Sequence, residues 1–495
     1  MRFRFWQYLA FSGLLTSCFP AILSAQQPNP IRLAIDPPPL HTDTDILKDC
    51  AFHQTTNRQL LFSCTVIHNY DEIILHYETT TQHSQIWSAL FDASGHFLDK
   101  QMIVFDTDLD ARLLVAFSPN RWVILKQVNN LSDKRLPGQS PDQTSVFVTP
   151  QGEISWQRLI WQFPDQTILA ETLEPTVFLQ DGFVDQNGHA ITVGTDFANI
   201  ETHPISNMFF LQAQDQNGQV IWQNRGEVEQ LLLSSNPQSM AGGFVDSGDI
   251  VDKFILPRPQ GGFVVYGPGN VPNKLTPVSL YGIFILCFGP DGGYQNGAFV
   301  PKLSSGAGRY VSMMPDGRLA LFPFYDREEG GNGSQLAYLD ADCRQESYQT
   351  MAPVRFPNHF ETTSSSVANH FMAVVTGANN HHYLLYRQYE REYKPEEEVY
   401  WAKDQPPALY IQEIDENGRR IRDYPVISPQ DIANHNFYAD RHVGRNLSGY
   451  NYDLTLTHDQ KFILISLNQM SLDIYKNTQE YPPLLLYRLS IGSPE

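Results

Sequence analysis

Residues 186–225 read QNGHAITVGTDFANIETHPISNMFFLQAQDQNGQVIWQNR, and residues 260–297 read QGGFVVYGPGNVPNKLTPVSLYGIFILCFGPDGGYQNG. Each stretch runs through a glycine turn, a short β-prone run, a polar loop, a second apolar run, another glycine turn and a further run. Internal similarity of this kind decides a fold before any single motif does. The same order recurs at 121–159, 315–347 and 381–421, opens at 70–101 and closes at 461–490. A β-rich segment precedes each first turn: RQLLFSCTV, RLLVAFS, GFVDQ, KFILP, RYVSMM, FMAVV and YDLTLT. The unit is therefore four strands, short and rich in Val, Ile and Tyr, with no helical period.

Aligning the second strands at 72, 121, 188, 261, 317, 382 and 461 gives seven units whose spacing varies from 49 to 79 residues. Loops absorb such variation at small entropic cost. The pattern predicts an all-β, seven-bladed β-propeller of four-stranded antiparallel blades, forming a single domain over 26–495. A β-sandwich or a string of small β domains is the competing architecture. The seventh unit stops after its third strand, LLLYRLS, while residues 31–36, IRLAID, form an orphan strand near the other end. A ring left open would expose unpaired backbone groups, so this N-terminal strand is expected to complete the last blade.

The chain has 495 residues, 42% apolar and 18% charged, which suffices for a large core and excludes collagen, coiled coil and wholesale disorder. Its 34 basic against 54 acidic residues give a net charge of −20, which excludes nucleic acid as an expected partner. Residues 1–25, MRFRFWQYLAFSGLLTSCFPAILSA, carry Arg2 and Arg4 before an apolar run too short for a membrane span. They read as an export signal, and no other run is long enough to be a transmembrane span. Leu23-Ser24-Ala25 is one cleavage site; Leu15-Thr16-Ser17-Cys18 is another, resembling a lipobox that would leave Cys18 lipid-bearing. The expected location is the periplasm, the cell envelope or beyond.

Past the signal, Cys50, Cys64, Cys287 and Cys343 are an even set suited to an oxidising compartment. Cys50 with Cys64 is the favoured pair, since the two flank one strand. No cysteine or histidine spacing fits zinc, and no metal site is expected.

The chain resembles a broad group of exported bacterial propeller repeats whose blade ends D-x-x-G-x-x-x-W. Asp215, Gly218 and Trp222 match the motif in full. Gly152 and Trp156 match its second half, while Asp92 with Gly95 and Asp415 with Gly418 match its first. The resemblance covers most of the chain and implies fold far more than activity. Quinone-dependent dehydrogenases use a related blade with a tryptophan in almost every repeat. Only two tryptophans stand in that place here, with no adjacent cysteine pair, so neither a quinone nor another cofactor is expected.

Turns between first and second strands, and between third and fourth, are tight and rich in Gly, Asn and Pro. Second-to-third connections are long, as are several between blades. Insertions thus gather on one face, which is the expected interaction surface. On it, residues 391–401 (REYKPEEEVYW) set a glutamate run beside Tyr393, Tyr400 and Trp401; the alternative is a plain solvated loop. A shared register in the first strands places Arg112, Lys253 and Arg309 where they could ring the axial channel and attract a small anion. The alternative pairs Arg112 with Asp110 and Lys253 with Asp252.

No GxSxG elbow, HExxH, P-loop or Rossmann glycine pattern occurs, and no catalytic residue is assigned. The expected role is an exported, non-catalytic binding or scaffolding module for a protein or polymer partner. The alternatives are a glycan hydrolase or lyase working in an axial pocket, and a sensor of a small anion.

Overall fold

In the computed structural model the described residues are 29–38, 46–68, 83–104, 109–128, 156–162, 167–173, 177–196, 208–235, 253–271, 280–301, 310–322, 324–325, 333–357, 366–394, 399–402, 408–428, 450–469 and 484–491. Nearly all of them form short antiparallel strands. Six blades are each built from one continuous stretch of chain, at 46–104, 109–173, 177–227, 254–301, 311–355 and 366–427. A further sheet is composite, with Tyr450–Leu456, Phe462–Gln469 and Leu484–Ser490 closed by Ile31–Arg32 from the other end of the chain. The innermost strands of successive sheets lie side by side around a circuit that returns from Tyr450–Leu456 to Ile46–Gln54. This is a β-propeller.

The structure corrects the expected seven-bladed ring of uniform four-stranded blades. Six blades, not seven, are built from continuous repeats, and those at 311–355 and 366–427 have five strands. Two repeat boundaries also move. In the first blade RQLLFSCTV contributes the second strand, Leu60–His68, and the innermost strand is Ile46–Gln54. The run at 70–77 assigned to the second strand lies outside the described residues. ILKDCAFHQ reads as polar, but neighbouring sheets supply its partners: Phe52 N–H donates to Asp453 Oδ2 at 2.8 Å, and Asp49 faces Arg112 at 3.9 Å.

In the second blade the stretch assigned to the fourth strand forms the third, Trp156–Gln162, and Thr167–Leu173 completes the sheet. Gly152 and the rest of 129–155 lie outside the described residues. In the fifth blade RQES holds a single 3-10 turn, Gln345–Ser347, before the outer strand Gln349–Arg355.

Blades pack face to face, so middle strands are covered on both sides. Ala190–Asp196, Met208–Gln214 and Ala408–Ile414 are buried at every position, whereas the outer strand Val220–Glu227 is fully buried at none. Burial of such runs drives the assembly. The apolar clusters straddle blade junctions. Phe62, Trp87 and Phe91 of the first blade pack with Leu464, Leu484 and Leu486 of the composite sheet.

The D-x-x-G part of the motif is explained by the turns. At Asp215 the Oδ1 atom accepts the N–H groups of Asn217 (2.8 Å) and Gln219 (2.9 Å), while Gly218 sits at φ 84°. Asp185, Asp92 and Asp415 do the same for their turns. Only a residue tolerating the left-handed region fits the fourth position; Cys343, at φ 57°, fills it in the turn capped by Asp340. The tryptophan fastens blades together. Trp222 stacks on Phe263 of the next blade (6.0 Å, 7°), and a Cβ on Gly292 would lie 2.8 Å from its ring.

Candidate functional site

The antiparallel order puts the first-to-second and third-to-fourth turns on one face and the longer connections on the other. On the short-turn face, neighbouring turns are stitched together by one rule. The inner turn of a sheet reaches the outer turn of the next. Arg258 donates to Ala341 O, Arg318 faces Glu416 at 3.9 Å, and Arg121 donates to Gln216 O at 3.4 Å. Where the chain ends meet, Ser94 Oγ donates to Asp459 Oδ2 at 2.8 Å, and Asp459 N–H to Ala93 O at 3.3 Å. The closing junction is therefore built like the others.

Two of the three cations of the first-strand register lie within the described residues, and each is tied to the third blade. Arg112 donates to Leu179 O, and the backbone N–H of Lys253 donates to the adjacent residue's Gln180 Oε1 at 3.2 Å. Both are engaged by neighbouring blades. Arg112 also faces Asp49, and the fully buried Lys253 Nζ donates to Thr195 Oγ1 at 2.8 Å. These ties cross blade boundaries; Asp252 and the side chain of Asp110, the partners offered by the sequence alternative, lie outside the described residues. Arg309 lies outside the described residues, as do Cys18 and the export signal.

The stretch at 391–401 is a β-hairpin at its described positions rather than an irregular loop. The second strand of the sixth blade, His382–Lys394, pairs with Ala408–Ile414 along its first half and with Val399–Ala402 at its end. Tyr393 is opposite Tyr400 and Glu392 opposite Trp401. The glutamate run itself, within 395–398, lies outside the described residues. Strand direction carries this hairpin to the face opposite the short turns.

Cys50 is joined to Cys64 and Cys287 to Cys343. The first disulfide crosses the two inner strands of the first blade, at a Cα separation of 4.1 Å. The second joins the fourth blade to the fifth, at a Cα separation of 6.1 Å. Sequence reading gave no pairing for the second, since blade contact is what brings those residues together.

Two polar networks that sequence reading missed lie inside the sixth blade and its junction with the fifth. Buried Glu413 accepts hydrogen bonds from Tyr424 OH (2.7 Å), Arg422 Nε (2.8 Å) and Tyr383 OH (3.4 Å), and its Oε1 is 2.7 Å from His381 Nδ1. Burial and the adjacent Glu413 carboxylate push the Tyr383 phenol up to about 12. His382 is hydrogen-bonded through Nε2 to Tyr338 OH (2.7 Å) and through Nδ1 to Thr376 Oγ1 (2.9 Å). Burial, reinforced by His381 and Arg318, lowers its pKa to about 3. Glu413 and His382 are buried, while His381 and Arg422 keep about a third of their side-chain surface exposed (31% and 36%). Among the described residues no group of three metal-ligating side chains converges, and no helix is long and apolar enough to cross a membrane.

No protein-family model matches this chain, and neither does any curated protein sequence. Among solved structures it is similar to the propeller of Dos1, at 7% identity over 90% of this chain and 92% of that one, with a TM-score of 0.39. It is also similar to a protein of unknown function from Dyadobacter fermentans, at 11% identity over 72% of this chain and 93% of that one, TM-score 0.38. A third is the Synechocystis apocarotenoid oxygenase, at 12% identity over 64% and 63%, TM-score 0.35. These neighbours include an enzyme, and likeness at this level assigns no activity. The propeller assignment rests on the strand pairing of the chain itself.

Proposed function

We propose that this propeller is an exported, non-catalytic binding module that engages a protein or polymer partner through the face opposite its short turns. The observation that carries the reading is the hairpin of the sixth blade. Its long strand, His382–Lys394, outruns its pairing with the third strand and holds Tyr393, Tyr400 and Trp401 on paired backbone. A contact segment fixed in this way loses less entropy on binding than a free loop does, and aromatic residues are favoured anchors. The two disulfides suit an oxidising compartment, in keeping with the signal read at 1–25.

The test is affinity capture from envelope extract by the native chain and by Tyr400→Ala with Trp401→Ala. A partner retained by the native chain and lost by the double variant, at unchanged melting temperature, is the expected result. Equal recovery by both proteins overturns the assignment of this face.

A further inference from the structure

The rim of a propeller is a row of strand edges, and an open edge is a template on which another chain can pair. Here the rim is guarded. Each outer strand longer than two residues carries a charged residue or a proline, among them Lys100, Glu171, Arg225, Pro301, Pro353 and Pro425. Such residues discourage a further strand from adding. Val399–Ala402 reads VYWA and has neither guard, and Val399, Tyr400 and Trp401 are strong strand formers.

The place of this strand in the sixth blade leaves one of its edges open. Among the described residues it pairs with His382–Lys394 and with no other strand. The outer strand of the blade, Arg420–Ile427, pairs only with Ala408–Ile414. The last residue of His382–Lys394 to meet Ala408–Ile414 is Gln388, so the hairpin runs about 20 Å beyond the end of that strand.

The direction of the open backbone groups follows from the turn at the start of the second strand. Gly377 N–H donates to His381 O at 2.9 Å and Asn380 N–H to Gly377 O at 3.0 Å, so His381 faces the first strand. Antiparallel bonding alternates along a strand, which turns the even-numbered residues of His382–Lys394 toward the third-strand side. Glu392 and Lys394 therefore exchange backbone bonds with Trp401 and Val399, their register partners. The N–H and C=O groups of Tyr400 and Ala402 point the other way, off the open edge. They offer two donors and two acceptors at the spacing of an added strand.

Charge narrows what can pair there. Residues 390–404, EREYKPEEEVYWAKD, hold six carboxylates against three cations, on a chain of net charge −20. That field draws a basic segment and repels an acidic one.

We infer that Val399–Ala402 is a docking edge on which an extended, basic segment of a protein partner pairs as a further strand. The inference rests on the hairpin being the contact surface, and it narrows the partner to a polypeptide held through its backbone.

The experiment is a calorimetric titration of the full chain, with amide hydrogen exchange, using a decapeptide of alternating Lys and Thr and its Glu-Thr counterpart. Saturable binding of the Lys-Thr peptide is expected, with slowed exchange at the Tyr400 and Ala402 amides. The Glu-Thr peptide should bind about tenfold or more weakly. Ala402→Pro removes one outward N–H, leaves the bonds to the second strand in place and changes no aromatic residue. It should weaken binding about tenfold or more, and Ala402→Ser should not. Should Ala402→Pro melt lower than the native chain, exchange at the two native amides decides instead. Absence of saturable binding, unaltered exchange at both amides, or equal binding of the Glu-Thr peptide overturns the inference. Capture from envelope extract separates it from the wider reading. A partner lost by Tyr400→Ala with Trp401→Ala but kept by Ala402→Pro leaves the face in place and overturns strand addition, whereas a partner kept by both removes the contact surface itself.

Discussion

His382 shows how a single side chain is set by its surroundings. Its imidazole lies between Tyr338 and Thr376, and Thr376 Oγ1 is 2.9 Å from Ser312 Oγ, so the chain of polar groups crosses from the fifth blade to the sixth. Burial lowers its pKa from 6.5 to about 3. In the unfolded chain the same group takes up its proton near the ordinary value. Between those two values the unfolded state binds more protons, so this group's contribution to stability is complete above about pH 6.5 and declines as the pH falls toward 3. Urea titrations should show His382 costing the native protein about 2 kcal/mol between pH 7 and pH 5, as the difference from His382→Gln measured over the same interval. Parallel pH curves for the two proteins would show that His382 has an ordinary pKa in the fold. The structure puts His381 against Glu413 and opens the second strand with His382, a difference that comes from what the blade packs against.

At the scale of elements, the closing strand was legible and its extent was not. IRLAID predicts six residues, but the strand is Ile31–Arg32, paired with Arg488 and Tyr487, with Leu33 N–H donating to Leu486 O at 2.8 Å. Leu33 and Ile35 then pack against the cluster of the first blade and the composite sheet, so the segment works by apolar contact as much as by pairing. Deleting residues 29–36 should lower stability by about 2–4 kcal/mol, read as a shift of the urea midpoint. An unchanged midpoint would mean that the composite sheet closes without it. Other elements misled for a related reason. Ile46–Gln54 carries Lys48, Asp49, His53 and Gln54 on an inner strand, where Asp49 faces Arg112 of the second blade and His53 lies 3.0 Å from Ser63 of the adjoining strand. The hairpin at 382–402 carries enough charge to read as a loop, yet it is held by backbone pairing that does not depend on side-chain polarity.

For the whole molecule the question is what holds successive blades in a ring. Apolar clusters span the junctions, turn-to-turn hydrogen bonds line the short-turn face, and one disulfide joins two blades. The Cys287–Cys343 bridge closes 56 residues and Cys50–Cys64 closes 14. By chain entropy these are worth about 4 and about 3 kcal/mol respectively. Cys287→Ala with Cys343→Ala should therefore lower the denaturant midpoint more than Cys50→Ala with Cys64→Ala does. The reverse order would place the weaker point of the ring in the first blade.

The repeat of glycine turns and β-branched runs determined, from sequence alone, that the chain is a toroid of small antiparallel sheets. It did so because turn chemistry and strand propensity are local, and each unit carries its own copy. It also marked the Asp and Gly of the turns, whose hydrogen bonds lie within five residues. Only the tertiary structure decided how many blades are continuous, which strand starts the first blade, how Cys287 finds Cys343 and where Arg112 and Lys253 spend their hydrogen bonds. Those outcomes depend on which surfaces meet between blades, and no single unit encodes its neighbour's face.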